Sequence, residues 1–160
     1  MIWLWLWLST AWANCTIADL EGALDGLDRA LSADFRAVQP ATEAVERQIK
    51  CTKETISAML AARIHHTFAV LEHRTKDHEQ AAKHLVAAWI AMPMSSKHPQ
   101  MPIASEAQER FKQLQESVLA DRPTSSLPTL TYVDGHPATW AVDDLPAILQ
   151  KPGKKPKFVR

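Results

Sequence analysis

Two cysteines, Cys15 and Cys51, bracket two amphipathic stretches, and they constrain the opening of the chain more than any other feature. Ile17, Leu20, Leu24, Leu27 and Leu31 recur at three- and four-residue spacing, which predicts a helix from about Thr16 to Leu31. Ser32-Ala33-Asp34 offers a turn, and Phe35, Val38, Thr42, Val45 and Ile49 give a second stripe up to Lys50. Pro40 interrupts this second helix, so two readings arise: a turn at 32–34 with a kink at Pro40, or a longer first helix with the second starting at Pro40. With the early turn, two antiparallel helices of about sixteen residues, each ~24 Å long, bring Cys15 and Cys51 side by side. With the late turn, Cys51 stops short. A disulfide needs Cα atoms within ~7 Å, which favours the early turn with a kink and a Cys15–Cys51 bridge. Closing that interval would contribute ~3–4 kcal/mol through the unfolded state.

Such a bridge belongs in an oxidising compartment, and the N-terminus agrees. An apolar run from Ile2 to Leu8 leads to Ala11-Trp12-Ala13, which fits a signal-peptidase site. The run is shorter than the ~20 residues a membrane-spanning helix needs. We therefore expect a signal peptide over 1–13 and a mature chain that is periplasmic or secreted, with no transmembrane helix.

Charge narrows the partners. The last ten residues hold Lys151, Lys154, Lys155, Lys157 and Arg160 and no acid; the remainder has thirteen basic against eighteen acidic residues, about −5. An acidic body with a basic tail and no basic stripe along a folded element argues against nucleic acid.

Only four glycines occur in the chain, which is rich in Ala, Leu, Glu and Lys, so helix dominates. A third helix is expected from about Ser57 to Arg74, with Ile56, Leu60, Ile64, Phe68 and Leu71 facing inward. Asp77 and Gln80 form a capping-box pattern opening a fourth helix, whose packing face is Ala81, Leu85, Ala88 and Met92. Pro93 ends it, and residues 94–102 read as a connection. Ser105 to Gln108 suggests a second capping box for a fifth helix, with Ala107, Phe111, Leu114 and Val118 as its stripe.

After residue 120 the composition changes. Residues 121–128 read as a linker, and 129–160 as a small β-hairpin segment with the basic tail. Leu130 to Val133 has strand propensity, Asp134-Gly135 is a two-residue hairpin signal, and Thr139 to Val142 can return despite Pro137. Ala147 to Gln150 and Phe158-Val159 are further short strands, with Tyr132 and Trp140 as expected anchors. The fold class is thus mainly α: about five helices in antiparallel hairpins over 14–120, with a short C-terminal β appendage.

Residues 62–95 resemble one tetratricopeptide repeat through Ala69, Ala81, Leu85, Ala88 and Pro93: small residues for close helix approach, a filling leucine and a terminating proline. The β segment, with its Val-Asp-Gly, Leu-Pro and Pro-Gly turns, resembles the opening of the PEGA-type modules of bacterial envelope proteins. The repeat resemblance implies a concave groove lined by one face of helix three, on which Arg63, His66, Val70 and His73 would meet a peptide with acidic groups. The resulting expectation is a non-enzymatic module that binds a protein or peptide in the cell envelope. The alternative is a small-ligand or metal-binding protein using the same His/Arg face. Seven histidines are present, but His78 and His84 do not make an HExxH pattern and no pair stands at i,i+4, so neither metal nor cofactor is expected. No nucleophile elbow or phosphate loop occurs, and Asp143-Asp144 reads as a turn cap.

Overall fold

The structure is a computed structural model that describes residues 15–33, 35–92, 105–119, 124–151 and 153–159. The expected leader over 1–13 and the connection 94–102 lie outside them. Helices α1 (Ile17–Ala33), α2 (Val38–Cys51), α3 (Ala58–Arg74), α4 (His78–Ala91) and α5 (Ser105–Leu119) precede strands β1 (Thr124–Val133), β2 (His136–Val142), β3 (Ala147–Gln150) and β4 (Lys157–Val159). The chain is mainly helical with a C-terminal antiparallel sheet, as expected.

The opening hairpin forms as the early turn requires. Cys15 and Cys51 are disulfide-bonded, with Cα atoms 5.6 Å apart. Thr16 and Asp19 cap α1 reciprocally: the Thr16 N–H and hydroxyl donate to the Asp19 carboxylate, and the Asp19 N–H donates to Thr16 Oγ1. These donors hold the Asp19 carboxyl below its ordinary value of 3.8, the Thr16 backbone N–H acting most strongly. The expected kink at Pro40 is not needed. A 3-10 turn at Phe35–Ala37 restarts the chain, and α2 begins at Val38. Pro40 therefore falls in the first turn, where backbone N–H groups have no intrahelical acceptor to lose.

Helix α3 starts at the N-cap Ser57, whose hydroxyl accepts from the Leu60 N–H. It ends in a Schellman motif. Lys76 takes φ 67°, its N–H donates to the His73 carbonyl, and the Asp77 N–H donates to Glu72. Asp77 then caps α4 by accepting from the Gln80 N–H. Only this half of the expected capping box forms, because the Asp77 N–H is already taken by the end of α3. The second expected box, at residues 105–108, falls on side chains outside those described.

The sheet order is β2-β1-β3-β4, all antiparallel. Residues 124–128, expected as linker, are the first half of β1. Pro137 is accommodated because β2 lies at the edge, opposite Tyr132. Tyr132 is half-buried; the Trp140 side chain lies outside the description. The appended sheet packs on the helices. Ile148 of β3 belongs to the main core with Leu20, Leu24, Leu27, Val45, Ile49, Ile64 and Phe68, and Phe158 of β4 packs against it. Val142 and Leu145 join a smaller cluster with Ala82 and Val86 of α4 and Phe111 and Leu114 of α5.

Candidate functional site

Two adjoining features concentrate the polar chemistry. The first is a buried carboxylate–imidazole–imidazole chain. His65 lies on the inner face of α3 beside Ile64 and Phe68, and His84 lies on the inner face of α4; they are 0% and 1% exposed. His65 Nε2 is 2.9 Å from Asp134 Oδ1, and His65 Nδ1 is 3.1 Å from His84 Nδ1. A carboxylate can only accept, so Asp134 assigns the His65 proton to Nε2. His65 Nδ1 is then the acceptor, and His84 Nδ1–H the donor. Asp134 Oδ1 also accepts from the Ile148 N–H at 2.8 Å, and its own N–H donates to the Ile148 carbonyl. Phe68 stacks on His84, and Phe158 covers both imidazoles with centroids about 6 Å away.

The hairpin geometry makes this possible. Asp134 and Gly135 have φ 47° and 82°, the two-positive turn that Asp-Gly favours. A Cβ on Gly135 would lie 2.6 Å from the Ser57 carbonyl carbon and closer still to the Ala58 nitrogen. The turn is pressed against the start of α3, and this drives Asp134 inward. Gln150 fastens the other side. Its amide accepts from the Ile56 N–H at 3.0 Å and donates to the Glu54 carbonyl at 2.7 Å, acting as a backbone surrogate between β3 and the segment after Cys51.

The second feature is a half-open cavity of about 560 Å³ on the other side of Asp134. Its walls are mostly apolar: Ala87 and Ile90 of α4, Val133, Ala138 and Ala141 of the β1–β2 hairpin, and Leu145 of the following turn. Its polar points are Thr131, Asp134 and His136. His136 Nε2 reaches the Ala91 carbonyl at 2.8 Å, which satisfies one of the terminal carbonyls of α4 and ties the hairpin to that helix.

The four residues expected on the helix-three face go to different places. Arg63 pairs with Asp25 and Asp28 of α1 at 2.5 and 2.9 Å, and Thr67 also donates to Asp28. The bond to Asp25 raises the Arg63 guanidinium further above its ordinary value, with Asp28 adding to it. Arg63 is thus tied to α1 while its side chain stays 38% exposed. Val70 packs against the main core. His66 is half-buried, and His73 turns toward the start of α4, its Nδ1 3.3 Å from that of His78.

The sequence patterns gave no site role to His65, His84 or His136 and took Asp134 as turn chemistry alone. The available signal was a histidine inside each of two apolar helix stripes, since a buried imidazole must find partners. Among the described residues, no group of three or more His, Cys, Asp or Glu is arranged to hold a metal ion, and no helix is long and apolar enough to cross a membrane. Comparison with protein-family models, with curated proteins and with solved structures finds no match for this chain.

Proposed function

We propose that this chain is an exported, non-enzymatic interaction module of the bacterial cell envelope, built on tetratricopeptide-like helical hairpins, and that it binds an extended peptide segment of a partner protein. The observation that carries this reading is the apolar cavity beside β2. Within the sheet, β2 pairs with β1 alone, so its outer edge has backbone groups able to take an added strand. The cavity is lined in part by Ala138, Ala141 and Val142 of β2, and its apolar walls can receive alternate side chains of such a strand. The disulfide and the apolar N-terminal run support export. This site replaces the helix-three face as the favoured contact, because Arg63 is engaged with α1.

The cavity volume also lies within the ~300–1,000 Å³ range of small-molecule pockets, which keeps a small apolar ligand as the second reading. Selection of a random peptide library on the full chain tests both. Expected are peptides with alternating apolar residues, whose binding is lost in Ile90→Glu and Ala138→Glu but kept in Met59→Glu, at an exposed position of α3. If the enriched peptides bind all three variants equally, or none is enriched, the peptide reading fails. Apolar dye binding lost only in the two cavity variants would then favour the small ligand.

A further inference from the structure

We infer that His73 and His78 form a two-imidazole chelate for a divalent first-row transition ion such as Zn²⁺ at the tip of the α3–α4 hairpin. The two Nδ1 atoms are 3.3 Å apart, with ring centroids 5.2 Å apart and planes inclined by 49°. Two nitrogens bound to one tetrahedral zinc at ~2.0–2.1 Å stand ~3.3–3.4 Å from each other. The rings therefore already hold the separation that chelation requires, whereas 3.3 Å is long for the N–H···N hydrogen bond they make without an ion.

The backbone fixes this arrangement. His73 sits in the last turn of α3, and its carbonyl accepts from the Lys76 N–H in the Schellman turn; His78 is the first residue of α4. Closing the turn over 75–77 converges two rings that a continuous helix would place on different faces. Both residues are partly exposed, so an ion can reach them from solvent. His65 and His84 show a similar Nδ1 separation of 3.1 Å, but they are enclosed by Phe68 and Phe158 and aligned by Asp134, which leaves an ion no entry.

Proton bookkeeping permits the chelate at neutral charge. In the ion-free pair one Nδ1 carries a hydrogen and the other a lone pair. Moving that hydrogen to Nε2 of the same ring gives two Nδ1 lone pairs with no net proton lost. No third His, Cys, Asp or Glu completes the set among the described residues. The remaining positions would hold water, which makes this an open site and not a closed structural one. The site is separate from the cavity beside β2, and either assignment can fail without the other.

Calorimetric titration of the full chain with ZnCl₂ near neutral pH tests the assignment. Expected is a one-to-one isotherm that is lost in both His73→Ala and His78→Ala while far-ultraviolet circular dichroism stays as in the parent, together with a zinc-dependent rise in melting temperature that both variants lose. Absence of binding to the parent, or an isotherm that survives in both variants, overturns the chelate. The ¹⁵N resonances of the imidazoles decide the matter without substitution should either variant fold poorly. Joint movement of the His73 and His78 Nδ1 signals on adding zinc supports the site, and zinc that leaves both unmoved refutes it.

Discussion

Replacing Asp134 tests whether the buried chain holds the sheet on the helices. Asp134 Oδ1 accepts from two donors, the Ile148 N–H and His65 Nε2–H, and the side chain is about 5% exposed. Asp134→Ala strands both donors away from water. Each unsatisfied buried donor costs ~1–3 kcal/mol, so the loss is about 2–6 kcal/mol. Alanine at φ 47° adds a further cost, because aspartate tolerates the left-handed region better. Against a total stability of ~5–15 kcal/mol this is a large fraction. Asp134→Asn keeps an oxygen in the same place and tolerates the same turn, so it should retain most of the stability. Urea unfolding followed by circular dichroism measures both, with hydrogen exchange at the Ile148 amide as a local readout; that amide should exchange faster in the alanine variant alone. An alanine variant within ~1 kcal/mol of the parent, or an asparagine variant equally damaged, would refute the role given to the carboxylate.

Three other substitutions or treatments probe the frame around it. Reducing the Cys15–Cys51 bridge, which spans a sequence separation of 36, should cost ~4 kcal/mol by the loop-entropy relation and lower the melting temperature by ~10 °C or more; an unchanged melt would show that the hairpin does not rely on it. Gly135→Ala should cost several kcal/mol, more than the ~1–2 kcal/mol of the left-handed conformation alone, because its methyl group meets the backbone of Ser57 and Ala58; a stability loss no larger than that conformational cost, read by urea unfolding, would contradict the close approach. The cap carboxylate of Asp19 is held below 3.8, so its contribution is present above that pH and is lost as pH falls through its lower folded value. The parent should accordingly be more stable than Asp19→Ala at neutral pH, with the difference closing in acid; a constant difference across an acid titration would count against the cap.

Local patterns carried most of the helical half. The stripe from Ile17 to Leu31, the Asp77 N-cap and the Asp134-Gly135 turn all depend on neighbours a few residues apart, so they are legible in a linear string. Pro40 shows where legibility ends. Its cost depends on whether it falls in the first turn or deeper, and a 3-10 turn of three residues decided that. Arg63 shows the same limit at the candidate site: helical spacing put it on one face with His66, Val70 and His73, but its partners Asp25 and Asp28 lie on another helix. The strand β1 also begins earlier than its composition suggests, because Thr124, Ser125 and Ser126 read as linker but pair with Val142, Ala141 and Trp140 of β2, ahead of a register break between Ser126 and Thr131.

The sequence by itself determined most inward positions of the described helices, the cysteine pairing and the hairpin turn, since each follows from periodicity or from a residue's backbone preference; Phe35, expected on the stripe of the second helix, is instead exposed in the 3-10 turn before it. Tertiary structure alone decided that His65, His84 and Asp134 meet, that β2 borders an apolar cavity, and that His73 and His78 converge across a turn. Residues 19 or 69 positions apart acquire a shared hydrogen bond only once helices and sheet are stacked. Which of these side chains meet is set by how the helices and the sheet stack, and the local patterns around His65, His84 and Asp134 do not encode it.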